Sequence, residues 1–183
     1  GLLERAARRG LETKVLHRRR AAYLAGLGDA DGAKRETEIA AKTAATGSID
    51  YFLLGDEAYR QGDVPEAIRD FETAVALEAD SFWAQCALAV CYVRQRQWER
   101  AVWGLGYCVR QRPDFVWLYL LRGYAHLELE AFAAATADFQ RAFQILGPTP
   151  NPTAAYVAHI NLGALHFRQH ELPAAEAQFQ KAA

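Results

Sequence analysis

An interval that recurs along the chain constrains its fold more than any other feature of the sequence. Small residues stand at positions 55, 89 and 123, and a fourth stands at position 163, slightly beyond the next equal step. Each is followed by an alanine twelve positions later, a large apolar residue after sixteen and another small residue after nineteen. Such a period, about 34 residues, predicts one structural module that is used several times. The four columns are Gly55, Ala89, Gly123 and Gly163; Ala67, Ala101, Ala135 and Ala175; Phe71, Leu105, Phe139 and Phe179; and Ala74, Cys108, Ala142 and Ala182.

Each module is predicted to be a pair of antiparallel helices. Small residues at Gly55 and Ala67 allow two helices to approach closely, and Phe71 lies one turn from Ala67 on the same face. Gly62 is suited to the left-handed conformation that ends a helix, and Asp63 is placed to cap the helix that follows. A helical pair of this kind leaves one apolar face open, so we expect neighbouring pairs to stack.

The pattern resembles the tetratricopeptide repeat (TPR), in which W-x2-L-G-x2-Y is followed by A-x3-F and then by P. This resemblance implies an all-α fold, a right-handed solenoid of stacked antiparallel helical hairpins. Arg122 departs from the family's pattern, which has leucine there. The four copies read Tyr51-x2-Leu54-Gly55-x2-Ala58 with Ala67-x3-Phe71, Gln85-x2-Leu88-Ala89-x2-Tyr92 with Ala101-x3-Leu105, Tyr119-x2-Arg122-Gly123-x2-His126 with Ala135-x3-Phe139, and His159-x2-Leu162-Gly163-x2-His166 with Ala175-x3-Phe179.

Proline residues interrupt the period between the third and fourth copies. They stand at positions 148, 150 and 152, so we expect an extended loop there, with Thr153 as the N-cap of the next helix. Because the sequence begins on glycine and contains no methionine, we interpret it as an excised piece of a longer protein. The predicted units are a degenerate N-terminal repeat at 1–47, repeats at 48–81, 82–115 and 116–149, a proline-rich loop at 150–155 and a truncated repeat at 156–183.

Composition narrows the classes of function. The hydrophobic fraction is 51% and the net charge is −1, so a core can be buried and no overall field favours nucleic acid. The segment 1–20 is an exception, since it holds seven basic side chains and two acidic ones. No apolar run is long enough to cross a membrane, and the N-terminus lacks the features of a secretory signal. We therefore expect a cytoplasmic protein without membrane contact.

The residues that could carry chemistry do not form a recognisable site. His159, His166 and His170 fall on one helical face, but the first two occupy the family's structural aromatic columns. Cys86 and Cys91 lack the spacing of a metal site, and we interpret them as small buried hydrophobic residues. The glycine-rich segment at 26–32 follows no predicted strand, which argues against a phosphate loop. We expect no catalytic residue, no cofactor and no metal.

The resemblance implies that the first helix of each hairpin lines a concave groove where partners bind. The positions that serve as a clamp for acidic chaperone tails in this family carry apolar or acidic residues here, so we expect a different ligand: an apolar peptide or amphipathic helix. Two alternatives remain, namely that these aromatic residues pack against another part of the same protein or thicken the core. The predicted groove residues are Phe52, Tyr59, Arg60, Trp83, Val90, Arg94, Trp117, Leu120, Tyr124 and Phe167.

Trp103 and Tyr107, one turn apart on a second helix, are predicted to form an outer contact surface. The leading functional hypothesis is a non-catalytic protein-interaction scaffold within a larger bacterial signalling protein. The segment 115–123, FVWLYLLRG, resembles repeat arrays attached to bacterial serine/threonine kinases. One alternative is a regulatory module of a bacterial effector enzyme or protease, and a third is nucleic-acid contact through the basic N-terminus. Weak self-association through exposed ends of the array is also expected.

Overall fold

The computed structural model describes residues 12–148 and 151–183, and every regular element within those ranges is a helix. The start of the predicted N-terminal unit, before residue 12, and Pro150 of the predicted loop lie outside the described residues. The described residues form two compact units, one ending at Asp80 and the other spanning Ser81–Ala183. The helices are α1 (Lys14–Gly26), α2 (Ala30–Lys42), α3 (Ser48–Gln61), α4 (Val64–Leu77), α5 (Phe82–Arg94), α6 (Trp98–Gln111), α7 (Val116–Glu128), α8 (Phe132–Leu146), α9 (Pro152–Arg168) and α10 (Leu172–Ala182).

The first unit contains two hairpins, in which α1 pairs with α2 and α3 pairs with α4, while α1 also contacts α3. Its core includes Val15, Phe71 and Ala74, each at most 2% exposed. His17 on α1 is also buried, and its two ring nitrogens lie 2.7 Å from Glu36 and 2.9 Å from Glu12. The weakly patterned N-terminal segment therefore folds as a helical pair, held partly by a polar cluster that the apolar columns do not reveal.

The second unit contains three hairpins, formed by α5 with α6, α7 with α8, and α9 with α10. Consecutive hairpins stack because α7 packs against α6 and α9 packs against α8. This stacking closes the apolar face that each hairpin leaves open. One buried cluster of the unit joins the last two hairpins and contains Tyr119, Leu120, Leu127, Ala135, Phe139, Ala142, Ala154, Ala158 and Leu165.

The turns between paired helices share one backbone feature. Gly62 has φ +87° and Asp63 caps α4, where its Oδ1 accepts a hydrogen bond from the Glu66 amide at 3.0 Å, as predicted. The equivalent positions of the preceding and following hairpins are also left-handed: Gly28 has φ +82° and Arg96 has φ +56°. The next two turns repeat this conformation, at Glu130 and at His170. Non-glycine residues thus occupy the left-handed position in all three hairpins of the second unit, at a cost in backbone strain.

Close packing within each hairpin depends on the first small column. A Cβ atom added at Gly55 would lie 2.8 Å from the Phe71 ring, and one added at Gly123 would lie 2.5 Å from the Phe139 ring. In the hairpin of α5 and α6, Ala89 accompanies a smaller residue, Leu105, and both are fully buried. Glycine on the first helix thus occurs with phenylalanine on the second, and alanine occurs with the smaller leucine. Because the two positions contact each other, the two columns recur together.

The proline-rich segment differs from the prediction at its end. The predicted loop at 150–155 is too long, because α9 begins at Pro152, and Thr153 is not the cap. Asn151 takes that role, since its side chain accepts a hydrogen bond from the Ala154 amide at 3.1 Å. Proline is compatible with the first turn of a helix, where the missing N–H would have no partner within the helix.

Candidate partner-binding site

The predicted groove residues of the first unit lie beside charged side chains of α1 and α3. Phe52 is half-buried, and its ring lies 5.8 Å from that of Phe71. Arg60 is exposed and forms an ion pair with Asp56, one turn earlier on α3. Asp56 also pairs with Arg19 of α1 at 3.2 Å. Tyr59 is half-buried on the same helix. Charged pairs on α1 and α3 therefore adjoin the aromatic residues of the predicted stripe in the first unit.

The second unit presents an exposed aromatic cluster at the start of α5. Trp83 is 58% exposed, although its ring packs edge-on against Phe82 at 4.9 Å and lies 6.5 Å from Phe115. The guanidinium of Arg112 lies 5.4 Å from the centre of the Phe82 ring, within range of a cation–π contact. These neighbours restrain the indole of Trp83 while leaving more than half of it free, which is the property of a preformed anchor.

Other predicted groove residues of this unit are less accessible. Trp117 is half-buried and packs against the large core cluster. Leu120 is 1% exposed and belongs to that cluster, so its assignment to the groove is wrong. The reason is geometric: Leu120 lies on the side of α7 that faces α8 and α9, and helical spacing alone does not separate this side from the groove side.

Phe167, which the sequence predicts in the groove, lies on a face formed by α9 and α10. There it lines a cavity of about 430 Å³ with Leu172, Ala175 and Phe179. The residue at the corresponding place in the preceding hairpin, Leu127, is 1% exposed and belongs to the large core cluster that α9 helps to form. Phe167, at 60% exposure, therefore occupies a stacking position that no described residue covers.

The edge of the predicted stripe combines aromatic and charged groups. The Tyr124 ring meets Trp98 edge-on at 5.6 Å, so part of its surface is already used. Val90 is half-buried and Arg94 is exposed. On α9, Arg168 donates to a carboxylate oxygen of Glu128 at 2.6 Å and to the backbone carbonyl of Leu127 at 3.1 Å. Arg168 thus links α9 to α7 and helps to fix the spacing between these two stripe helices.

The proposed outer surface contains one very exposed tryptophan. Trp103 is 81% exposed and lies at the side of a cavity of about 300 Å³, whose lining includes Leu88, Tyr92 and Arg100. The Arg100 guanidinium stacks over the Tyr92 ring at 4.1 Å. Tyr107 is half-buried, with the Arg110 guanidinium 5.5 Å from its ring centre. Trp103, rather than the pair, therefore provides the accessible aromatic surface on α6.

A buried ion pair replaces the expected leucine of the third full repeat. Arg122 donates from Nε to Asp138 at 2.9 Å and from Nη2 at 2.6 Å, and Asp138 is only 4% exposed. His126 lies 3.8 Å from the same carboxylate, and its Nδ1 is buried without a partner among the described residues. Burial lowers the pKa of His126, while the charge of Asp138 opposes that shift. Arg122 departs visibly from the family's pattern, but nothing in the sequence connects it to Asp138, sixteen positions later.

The histidines and cysteines do not converge on a metal site within the described residues. His159 Nδ1 pairs with Gln178 at 2.9 Å, and His166 Nδ1 pairs with Glu171 at 2.6 Å, so both rings are engaged by polar neighbours in the last hairpin. Burial raises the pKa of the Cys91 thiol to about 11. A thiol with this pKa stays protonated near neutral pH, which agrees with a packing role for Cys91.

No family model matches this sequence, and no curated protein matches it either. Solved structures of similar fold exist. A MamA structure from Desulfovibrio magneticus RS-1 aligns over 92% of this chain and 93% of its own, with a TM-score of 0.73 and 20% identity. A MamA structure from MSR-1 gives a TM-score of 0.70 at 20% identity, over 92% and 94% of the two chains. A TPR protein of Thermus thermophilus aligns over 92% of this chain and 89% of its own, with a TM-score of 0.60 and 23% identity.

These similarities and the all-helical architecture of the described residues define the fold class. The chain has an all-α, TPR-like fold, a solenoid of helical hairpins. The fold predicted from the recurring period is therefore confirmed at the level of its class. At such sequence identities the likeness concerns the fold alone, and function must be argued from the surface of this chain. Within the described residues, no helix combines the length and the apolar character that crossing a bilayer requires.

Proposed function

We propose that this chain is a non-catalytic protein-interaction scaffold that binds a partner protein or peptide. The TPR-like fold of its structural neighbours supports this class of function. The observation that carries the proposal is the exposure of Trp83, which is held by Phe82 and Phe115 yet leaves 58% of its surface free. A large aromatic side chain with restricted motion supplies contact area at low entropic cost.

The ligand we propose is an apolar peptide or an amphipathic helix. Trp83 is its central anchor, with Val90 and Trp117 as apolar neighbours further along the predicted stripe. Arg94 and Tyr124 stand at the edge, where they can donate hydrogen bonds to backbone carbonyls or carboxylates.

In this proposal the first unit contributes a separate set of contacts to the partner. Phe52, Tyr59 and Arg60 offer polar and aromatic contacts on α3, in keeping with the charged surroundings of that stripe. We take the repeats to span 48–81, 82–115 and 116–149, with truncated or degenerate repeats on either side.

The wider context we propose is a larger bacterial signalling polypeptide, such as one that carries a serine/threonine kinase domain. This rests on the resemblance of segment 115–123 to kinase-associated repeat arrays. The alternative is a regulatory module of an effector enzyme or protease, and it would require the same partner-binding surface. The coding sequence on either side of this segment distinguishes the two, since a kinase domain upstream supports the first and a hydrolase domain the second.

The nucleic-acid alternative is opposed by the ion pairs of the first unit. The basic side chains before residue 12 lie outside the described residues, but three of those that follow have acidic partners. Arg18 pairs with Glu57 at 2.6 Å, Arg19 with Asp56 at 3.2 Å, and Arg20 with Glu12 at 3.2 Å. These acids neutralise much of the positive charge that a phosphate backbone would require. Retention on a DNA or RNA column that falls steeply with salt would reverse this conclusion.

Weak self-association through the face around Phe167 and Phe179 is a further element of the proposal. These two side chains are 60% and 40% exposed, and burial of such surface between two molecules is favourable. We expect the sedimentation coefficient to rise with concentration in the high micromolar range. A single monomeric species throughout that range would contradict this element.

The binding proposal is tested by selecting peptides from a random phage-displayed library against the purified chain. We expect the selected sequences to share apolar or aromatic residues at helical spacing, and we expect Trp83→Ala to abolish their retention. Trp103→Ala is the matched control, because it removes an equally large exposed ring from α6. Failure to select any peptide, or retention that depends on Trp103 instead, would count against the site.

A further inference from the structure

Two cysteines of the second unit face each other across one hairpin. Cys86 lies on α5 and Cys108 on α6. A Cβ atom added at Gly104 would lie 3.1 Å from the Cβ of Ala89, which fixes the register of these helices. The two helices run antiparallel. A step of one turn towards the N-terminus from Ala89 on α5 therefore runs in the same direction as a step of one turn towards the C-terminus from Gly104 on α6. That direction brings Cys86 opposite Cys108.

The same pairing occurs one repeat later with other side chains. Leu120 and Ala142 occupy the places of the two cysteines in the next hairpin, and both belong to one buried cluster. The repeat therefore brings these two positions together in general, and in the second full repeat both carry a thiol. Cys86 is half-buried and Cys108 is fully buried. One thiol is thus reachable from solvent, while the other is reachable mainly through its neighbour.

The two thiols share a hydrogen bond that makes them chemically unequal. The bond from Cys108 lowers the pKa of the Cys86 thiol. The same hydrogen bond, together with burial, raises the pKa of Cys108. Cys86 is therefore the better nucleophile and Cys108 the protonated neighbour, an arrangement typical of an attacking and a resolving cysteine. Cys91 lies five positions after Cys86, on a different side of α5.

We propose that Cys86 and Cys108 form a reversible disulfide that cross-links α5 to α6, with a peroxide as the oxidant and a small thiol such as glutathione as the reductant. The Cys86 thiolate attacks one peroxide oxygen, so that an S–O bond forms, the O–O bond breaks and hydroxide leaves. The Cys108 sulfur then attacks the sulfenic acid at Cys86. The S–S bond forms, the S–O bond breaks, and the departing hydroxide takes the Cys108 proton. Two electrons pass from the thiols to hydrogen peroxide, which becomes two molecules of water.

The cross-link acts on the helix that carries the exposed tryptophan. Cys86 lies one turn after Trp83 on α5, so the bond ties the Trp83 turn to α6. Reduction by two molecules of glutathione, which become glutathione disulfide, releases it. The inference concerns the thiols alone and stands whether or not Trp83 binds a peptide.

The test treats the native chain with hydrogen peroxide and counts free thiols after denaturation. We expect the count to fall from three to one, the mass to fall by two hydrogens, and dithiothreitol to restore all three thiols. Cys91→Ala should behave in the same way, with a count that falls from two to zero. Cys108→Ala and Cys86→Ala should form no intramolecular bond. Cys108→Ala is suited to the test because Ala74 and Ala142 fill the equivalent positions.

Three results would overturn the proposal. The first is a disulfide that contains Cys91, found by fragmentation of the proteolytic peptides. The second is a disulfide between two chains, visible as a dimer on a non-reducing gel. The third is sulfinic acid at Cys86 while Cys108 stays reduced, which would show that the buried thiol does not reach its neighbour. Oxidation of the chain unfolded in urea is the control, because it shows which disulfides form when α5 and α6 do not align the cysteines.

Discussion

In the four hairpins that carry the recurring columns, a small side chain on the first helix is matched to a large apolar one on the second. Gly123 leaves no room for a Cβ beside the Phe139 ring, whereas Ala89 accompanies the smaller Leu105. The chain itself therefore contains two solutions to one packing problem, glycine with phenylalanine and alanine with leucine. The columns are visible in the sequence because this steric constraint recurs from unit to unit.

Gly123→Ala tests this coupling. The added methyl group would lie 2.5 Å from the Phe139 ring, and overpacking of that kind costs about 1–3 kcal/mol. Alanine gains about 1 kcal/mol in helix propensity, so we expect a net loss of up to about 2 kcal/mol in the free energy of unfolding, measured by urea denaturation. Adding Phe139→Leu should restore part of this loss, as the pair Ala89 and Leu105 indicates.

A matched glycine provides the control for that measurement. Gly106 also lies within a helix, but a Cβ there would meet only the Arg122 guanidinium at an ordinary 3.7 Å. We therefore expect Gly106→Ala to stabilise the protein by up to about 1 kcal/mol. If both alanine variants stabilise the protein equally, the steric account of the Gly123 column is wrong.

The buried ion pair makes a second prediction at the scale of single residues. Arg122→Leu restores the family's usual residue but leaves the carboxylate of Asp138 buried without its partner. Removing one member of such a pair costs about 3–5 kcal/mol, so we expect a large fall in the denaturation midpoint. Arg122→Leu combined with Asp138→Ala should recover most of the loss. A single variant as stable as the wild-type protein would contradict this prediction and would mean that His126, 3.8 Å from the same carboxylate, is a sufficient partner.

At the scale of elements, the cap and turn residues in the sequence predict where a hairpin turns more reliably than apolar periodicity predicts which face of a helix is buried. Asp63 and Gly62 were predictable because cap and turn residues have specific chemistry. The start of α9 was not, because Asn151 and Thr153 are both good N-caps and only the tertiary structure selects the first. The groove assignment of Leu120 failed for a related reason: several stripes on α7 are apolar, so periodicity does not determine which one faces α8.

The left-handed turn residues allow an experiment on the hairpins. Glu130 has φ +57° at the position where Gly62 stands in an earlier turn. The left-handed conformation costs a residue with a Cβ about 1–2 kcal/mol, and substitution by glycine removes this cost. Part of the benefit is lost because glycine increases the entropy of the unfolded chain. We expect Glu130→Gly to raise the free energy of unfolding by up to about 1 kcal/mol.

The reverse substitution completes that comparison. Gly62→Ala places a Cβ on a left-handed residue, although the space around it is open, so we expect a loss of about 1 kcal/mol from backbone strain alone. Thermal unfolding followed by circular dichroism measures both variants under one condition. Opposite signs for the two substitutions support a common left-handed turn, and equal signs argue against it.

At the scale of the whole molecule, the repeat predicts the class of fold but only part of the surface. Buried columns are set by steric constraints that the units share, so they appear in the sequence as a period. Surface residues differ from unit to unit, and ion pairs between distant positions carry no such period. Asp56 with Arg19 and Arg168 with Glu128 are examples, since both make the predicted stripe more polar than its aromatic residues suggested.

The binding role assigned to this surface depends on one side chain, and its removal is the most direct measurement. Isothermal titration of a library-selected peptide should give a dissociation constant at least about thirty-fold higher for Trp83→Ala than for the wild-type chain, as expected for a central aromatic anchor. Trp103→Ala should leave the affinity unchanged, and both variants should keep the wild-type circular dichroism spectrum. Undiminished affinity in a folded Trp83→Ala variant would contradict the account.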